Sequence, residues 1–260
     1  MQERNQSDKL LLSCFGARRR VVELGTEATP TELPRERVVP EAGDGLVEAS
    51  QLEAFVDAAS ERLSRLRQND ILRRAVGFVV SSGGESLEAS FISLYAALES
   101  TLTFFRREDE YEILPPEKFA RLERDLKRWL KEHPLLAGEA DKRALIYEKV
   151  RELNRFPFAH VFRKFCGQYE VDLSDLWPVL GRPEEWPLME IRHRLVHGDP
   201  FVSRPDESLS CAREHLRFTV ERMLLAVLGW PVSRSRVSRE WLGSGVGAYR
   251  DWQAERARFA

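Results

Sequence analysis

The sequence predicts an all-α fold, an antiparallel bundle of helices. Through most of the middle of the chain, apolar residues recur at spacings of three and four, the period of an α-helix buried along one face. Prolines separate several of these stretches and mark where one helix stops and another begins. With 260 residues, of which 43% are apolar, the chain can also build a substantial core.

Three helices are predicted in the first half of this region. The first opens at a capping box formed by Ser50 and Glu53. The third begins at Pro115 and Pro116, because proline suits the first turn of a helix, and ends near His133. The apolar stripes of the three helices, which we assign to the core, are Leu52, Phe55, Val56, Ala59, Leu63 and Leu66; Phe91, Leu94, Tyr95, Leu98, Leu102 and Phe105; and Phe119, Leu122, Leu126, Trp129 and Leu130.

Four further helices are predicted over residues 139–154, 158–169, 187–198 and 206–228. Pro178, Pro183 and Pro187 interrupt the approach to the third of these, which carries the most unusual polar residues in the chain. Together the seven helices define a predicted helical domain over residues 50–230.

The two ends of the chain differ from this middle. Residues 9–24 predict a short β-hairpin, which must pack on something because two strands alone are only marginally stable. The Thr-, Pro-, Glu- and Gly-rich residues that follow are typical of a linker, so 1–49 is interpreted as hairpin and linker. Residues 231–260 are interpreted as a C-terminal tail with a candidate short helix, whose aromatic residues either dock onto the domain or a partner or stay loosely ordered.

Composition excludes several classes of protein. No run of 18 apolar residues and no signal-peptide pattern is present, so we expect a cytoplasmic protein without membrane contact. Cys14, Cys166 and Cys211 are widely spaced and include no CxxC pair, which argues against a zinc site or a disulfide framework. The net charge of −2 means that any nucleic acid must be held by a local basic cleft rather than by the whole surface.

The best candidate for a chemical site is residues 190–199, which read EIRHRLVHGD. This segment holds Arg192, His193 and His197, and Gly198 follows as a helix-ending residue. Arginine binds a phosphate through paired donors, and histidine transfers protons near neutral pH. The combination therefore favours phosphodiester chemistry.

The spacing alone is weak evidence, because two other arginine–histidine pairs, Arg128–His133 and Arg155–His160, share it. Proline directly follows the first pair and lies inside the second, which predicts a helix end in one and a helix break in the other. Only Arg192–His197 combines a polar residue after the arginine, an apolar pair, and a glycine after the histidine.

These residues resemble a known family. Ile191 to Gly198, the Gly-Asp-Pro loop after them, and the helix ending Leu-Leu-Ala-Val-Leu-Gly at 224–229 are similar to the C-terminal part of a HEPN domain, in its ApeA-like variety. Residues 87–99 resemble the second helix of that family and its Leu-Glu pair. The resemblance covers roughly residues 50–230.

The resemblance implies a HEPN-like bundle and a metal-independent endoribonuclease that uses the 2′-hydroxyl of RNA as nucleophile, at a homodimer interface. By this likeness Arg192 and His197 are catalytic, His193 takes the polar position that is more often asparagine, and Glu99 is a candidate to orient Arg192. It also implies an RNA substrate, no cofactor, a role in toxin–antitoxin or antiviral defence systems, and a regulatory protein partner.

Simpler interpretations of the same residues stay open. His197 suits an ordinary helix C-terminus, where its charge complements the helix dipole. Arg192 suits a surface ion pair with Glu190 or Glu185, and Glu99 suits an exposed helix face. Each of these would give the residue a structural role alone.

Two further alternatives concern the site as a whole. His193 and His197 have the i,i+4 spacing of a metal-binding pair, but Arg194 stands where HExxH proteins have glutamate and no third ligand is evident, so we expect no metal site. The second alternative is a non-catalytic HEPN module, a scaffold, sensor or antitoxin that binds a nucleotide or a protein partner. Fold does not decide between an enzyme and such a module.

Overall fold

The computed structural model describes residues 45–68, 70–105, 112–198, 201, 206–245, 249 and 251–259. Within these ranges the chain is mostly α-helical and contains no β-strand, which confirms the predicted all-α class for this part of the protein. The hairpin predicted at residues 9–24 lies outside the described residues.

The described helices are α1 Leu52–Gln68, α2 Asp70–Ser81, α3 Leu87–Phe105, α4 Pro116–Glu132, α5 Ala140–Glu152, α6 Phe158–Gln168, α7 Leu188–His197, α8 Asp206–Val227, α9 Arg239–Gly245 and α10 Trp252–Ala257. All seven helices predicted between residues 50 and 228 are present, with ends that differ from the prediction by a few residues. The sequence analysis did not predict α2 or α9.

Helices α3 and α8 form the centre of the fold. Helix α3 packs most extensively against α2 and α8 and also contacts α6 and α7. Its Phe91, Leu94 and Leu98 are completely buried, as are Leu216 and Val220 of α8. Helix α8 is buried around most of its circumference, which is typical of a helix at the core of a bundle. The motif helix α7 thus packs against a central helix of the fold, α3.

The core assignment for the third predicted helix is wrong for most of its stripe. Helix α4 has α5 as its main packing partner, so most of its apolar residues are not fully covered. Phe119 is buried, but Leu122 is exposed and Trp129 keeps 59% of its surface exposed, with its ring against His133. An amphipathic pattern shows that a helix has an apolar face; it does not show what covers that face.

The start of α1 also differs from the prediction. A 3₁₀ turn, Ala49–Gln51, precedes the helix and contains Ser50, whose hydroxyl lies 3.5 Å from the carboxylate of Glu48. The predicted capping box of Ser50 and Glu53 is therefore wrong, because α1 begins at Leu52, two residues after the serine.

The C-terminal residues pack onto the bundle. Phe259 is almost completely buried, and its ring stacks on Trp186, with centroids 5.2 Å apart, and meets Trp177 edge-on. Trp252 is buried beside Trp177 as well. Of the options left open for the aromatic residues of the tail, docking onto the helical core is the one that the structure shows.

None of the described helices is both long enough and apolar enough to span a membrane.

Candidate functional site

The motif helix α7 is held firmly at its start. Trp186 takes a left-handed backbone conformation, φ 50°, and its carbonyl accepts a hydrogen bond from Nε1 of Trp177 at 2.8 Å. Pro187 then provides the extended residue from which the helix begins. Leu188 and Ile191 are completely buried on the core side of α7. Because this side of α7 is buried, the directions in which its other side chains point are set as well.

The end of α7 is set by Gly198. This glycine has φ 70°, and its N–H donates to the carbonyl of Arg194. A left-handed residue after the last helical turn is a common way to end a helix, and glycine adopts it without steric cost. His197 is therefore the last helical residue, as the sequence pattern indicates.

Arg192 reaches from α7 to α3. Its Nη2 lies 3.9 Å from Oε1 of Glu99, and its guanidinium carbon lies 5.6 Å from the centre of the Tyr95 ring. Tyr95 and Glu99 are one helical turn apart on α3, so both present their side chains to the same point. The structure thus places Glu99 beside Arg192, where an orienting role requires it.

These contacts hold Arg192 loosely. Its side chain is 35% exposed, and an ion pair of this length between partly exposed groups is worth about 0–1 kcal/mol. In the described part of the chain the guanidinium has no hydrogen bond within 3.5 Å. Its N–H groups therefore remain available to an anionic ligand.

Arg192 forms neither of the ion pairs that its sequence neighbours Glu190 and Glu185 could provide. Glu190 instead accepts a hydrogen bond from Nε of Arg194 at 3.0 Å, and Glu185 accepts one from the backbone N–H of Arg182. Arg194 also stacks on Trp186, with its guanidinium carbon 4.4 Å from the ring centre. Arg194 is thereby held by a hydrogen-bonded ion pair and a stacking contact, whereas Arg192 has only the longer ion pair with Glu99 and the face of Tyr95.

Tyr95 is a neighbour of the site that the sequence analysis assigned only to the core. Burial, followed by the negative charge of Glu99, raises the pKa of Tyr95 well above its usual value. The ring therefore stays neutral and offers its face to Arg192, an arrangement that attracts a cation without consuming its hydrogen-bond donors. The i,i+4 spacing of Tyr95 and Glu99 was the only available signal for this role.

His193 and His197 lie together on the exposed side of α7. Their ring centroids are 4.4 Å apart, and both side chains are exposed. Among the described residues, neither imidazole has a hydrogen-bond partner in the protein. Their ring nitrogens are accordingly available to solvent or a ligand.

Arg192 and His197 do not meet within one chain. Arg192 points to α3, while His197 pairs with His193, and no ion pair or ring contact joins the two in the described residues. Five positions along an ideal helix correspond to a rotation of about 140°, which explains the divergence. Gly198 ends α7 directly after His197, and the helix keeps its geometry up to that residue, so the helix end does not bring the two side chains together.

A second polar cluster lies beneath the C-terminal helices. Arg222 is 2% exposed, and its Nη1 and Nη2 donate to the two carboxylate oxygens of Asp175 at 2.7 and 2.8 Å. The backbone carbonyls of Asp172 and Val237 accept two more hydrogen bonds from the guanidinium. The hydroxyl of Tyr249 donates to Asp175 at 2.8 Å. The sequence analysis did not identify this cluster.

The pKa values in this cluster follow from its geometry. Burial alone would raise the pKa of Asp175, but the hydrogen bonds and charge of Arg222, together with the Tyr249 hydroxyl, hold it below its ordinary value. Burial and the hydrogen bond to Asp175 raise the pKa of Tyr249 to about 12. A cavity of about 410 Å³ adjoins the cluster, lined in part by Trp230 and Arg239. Since four of the five N–H donors of Arg222 are occupied, we assign the cluster to stability.

In the described residues, no group of three or more His, Cys, Asp or Glu side chains is arranged to hold a metal ion. No protein-family model, curated protein or solved structure shows a significant match to this chain. The geometry around α7 and the resemblance of its motif are therefore the basis for a functional proposal.

Proposed function

We propose that this protein is a metal-independent endoribonuclease of HEPN type, in which Arg192 binds the scissile phosphate and His197 transfers protons. The observation that carries the proposal is the state of Arg192. It is directed by Glu99 and Tyr95 yet keeps its hydrogen-bond donors available, on the same short helix as two exposed imidazoles.

The reaction needs no metal because RNA supplies its own nucleophile. A histidine removes the proton of the 2′-hydroxyl, whose oxygen forms a bond to the adjacent phosphorus. The bond from phosphorus to the 5′-oxygen breaks, and a second protonated group gives that oxygen its proton. The products are a 2′,3′-cyclic phosphate and a 5′-hydroxyl. Proton transfer contributes about 10²–10⁴-fold, and an arginine that binds the nonbridging oxygens stabilises the transition state.

A homodimer would complete this site. Within one chain Arg192 and His197 diverge, whereas two copies of α7 that face each other would bring one arginine close to the histidine of the other copy. The exposed surface of α7 includes two apolar side chains, Met189 at 36% exposure and Val196 at 49%. In the proposed dimer, the partner's α7 would cover these two side chains. In this arrangement Glu99 positions Arg192, and His193 helps to form the cleft.

By the same resemblance, we propose a cytoplasmic effector of a defence or toxin–antitoxin system, whose cleavage of RNA is restrained by a protein partner. The overall charge of −2 agrees with recognition confined to a small cleft, because a surface without excess positive charge attracts RNA only weakly.

The test is cleavage of total RNA and tRNA in EDTA by the wild type and by His197→Gln, with His160→Gln as the matched control. His160 is another exposed histidine, stacked on Phe156 and distant in sequence from α7. We expect cleavage by the wild type and the control, with 2′,3′-cyclic or 3′-phosphate ends, and a loss of roughly 10²–10⁴-fold in His197→Gln.

Two outcomes would refute the nuclease assignment. Equal cleavage by all three proteins would point to a contaminant or to another site. Cleavage of an oligonucleotide with 2′-deoxyribose at the mapped position would exclude the 2′-hydroxyl as nucleophile.

One observation favours the second candidate function, a non-catalytic HEPN module. Catalytic bases are commonly oriented by a third group, and His197 has no such partner among the described residues of a single chain. If the wild type is inactive and Arg192→Ala weakens binding of an RNA oligonucleotide measured by fluorescence anisotropy, α7 is a binding surface rather than an active site.

A further inference from the structure

The proposed reaction gives His197 a chemical role but leaves the close pairing of His193 with His197 unexplained. The two rings have their centroids 4.4 Å apart on one face of α7. In the described part of the chain, neither ring forms a hydrogen bond with another protein group. Two adjacent imidazoles with available nitrogens form a chelating unit.

The distance between the rings suits one metal ion. Imidazole nitrogens bind Zn²⁺ at about 2.0–2.1 Å, so two rings on one ion have their centres roughly 4.5 Å apart when the two bonds are at about 90° and roughly 5.2 Å apart at the tetrahedral angle. The observed separation of 4.4 Å lies just below this range, so the two exposed side chains must move slightly apart to bind one ion. Imidazole is a good ligand for copper, nickel and zinc and a poor one for magnesium and calcium.

The backbone of α7 is already held in the conformation that chelation requires. Leu188 and Ile191 are buried, and Gly198 fixes the end of the helix directly after His197. Little backbone ordering is therefore needed when an ion binds, which is the usual advantage of a preorganised site.

From the sequence we expect no metal site here, because a third protein ligand is missing. Against that expectation, we propose that His193 and His197 together bind one divalent copper, nickel or zinc ion, with water in the remaining coordination positions, and that this ion inhibits RNA cleavage. The inhibition rests on the proposed function, because the ion would occupy the His197 nitrogen that transfers protons. The binding itself does not depend on that function.

The charges around the pair set the strength of binding. Arg192 and Arg194 are close in sequence and oppose a cation, but Glu99 lies beside the first and Glu190 pairs with the second. No third protein ligand is arranged nearby in the described residues, so the ion is held by two histidines and exchanges readily.

The binding test uses the full chain without an affinity tag, titrated with Cu²⁺, Ni²⁺ and Zn²⁺ by isothermal calorimetry. The electron paramagnetic resonance spectrum of the Cu²⁺ complex reports nitrogen ligands. We expect one ion per chain, and a dissociation constant at least roughly tenfold higher in both His193→Gln and His197→Gln, because two ligands bind together. The control His160→Gln should bind like the wild type. Equal affinity in all four proteins would overturn the site.

The inhibition test follows the cleavage rate in rising metal concentration, with each variant compared with its own metal-free rate. Wild-type cleavage should fall as the site fills and recover fully in EDTA, and the half-inhibiting concentration should rise at least roughly tenfold in His193→Gln. Saturated binding with unchanged cleavage would overturn the inhibition. If the metal-free wild type does not cleave RNA, the proposed function fails, while the calorimetry still decides whether the metal site exists.

Discussion

Arg192 and Arg222 show two different uses of arginine in one molecule. Arg222 is 2% exposed and donates to both oxygens of Asp175 and to two backbone carbonyls, at distances of 2.7–3.0 Å. Arg192 is 35% exposed and has one ion-pair contact at 3.9 Å and the face of Tyr95. Of the two, only Arg192 can exchange its present contacts for a ligand at a low cost in free energy.

The difference lies in the free energy that each contact set contributes. A buried charge that loses its partner is strongly destabilising, so Arg222 cannot be changed without loss of stability. An exposed, weakly paired charge contributes little to folding. Arg192 is such a residue, so the binding role proposed for it does not compete with the stability of the fold.

The largest expected effect on stability is that of Arg222→Ala. This change leaves Asp175 buried without its cationic partner and removes the hydrogen bonds to the carbonyls of Asp172 and Val237. We expect the free energy of unfolding to fall by about 3–5 kcal/mol, measured by urea denaturation. A loss below about 1 kcal/mol would show that the cluster is not a structural anchor.

A smaller change in the free energy of unfolding is expected when the pH is lowered. The pKa of Asp175 is lower in the folded protein than its ordinary value of 3.8. Its ion pair therefore contributes stability above that pH, and this contribution is lost as the pH falls through the folded pKa.

Asp175→Asn tests the assignment of this pH dependence. The variant lacks the carboxylate at every pH, so its difference in unfolding free energy from the wild type should be largest near pH 7 and shrink below pH 4. A difference that stays constant between pH 7 and pH 3 would mean that another group is responsible.

The same contrast explains what could be predicted from the sequence. Helices with regular apolar spacing, such as α3 and α8, follow directly from the pattern. Helix α2 was missed because Gly77 and the valines around it have low helix propensity. Burial of Leu72, Ala75 and Val76 compensates, and packing of this kind is not visible in a single sequence.

The features of the candidate site likewise fall into those that local spacing predicts and those that it does not. The short-range features of α7, including the paired histidines and the glycine that ends the helix, are set by local spacing. The contact between Arg192 and Glu99 was expected only through the resemblance to a family. The Arg222–Asp175 pair joins residues 47 positions apart, and no local pattern predicts it. Likewise, nothing in the spacing of α4 distinguishes a buried face from the exposed one observed.

The most direct test of the proposed role of Arg192 measures RNA cleavage in EDTA and the free energy of unfolding on the same Arg192→Ala protein. We expect cleavage to fall by about 10²–10³-fold, because a donor to the transition state is lost. We also expect the free energy of unfolding to stay within about 0.5 kcal/mol of the wild type, because the ion pair is weak. A cleavage rate of Arg192→Ala equal to that of the wild type would contradict the catalytic role of Arg192. A loss of several kcal/mol would instead place Arg192 with Arg222 as a structural arginine.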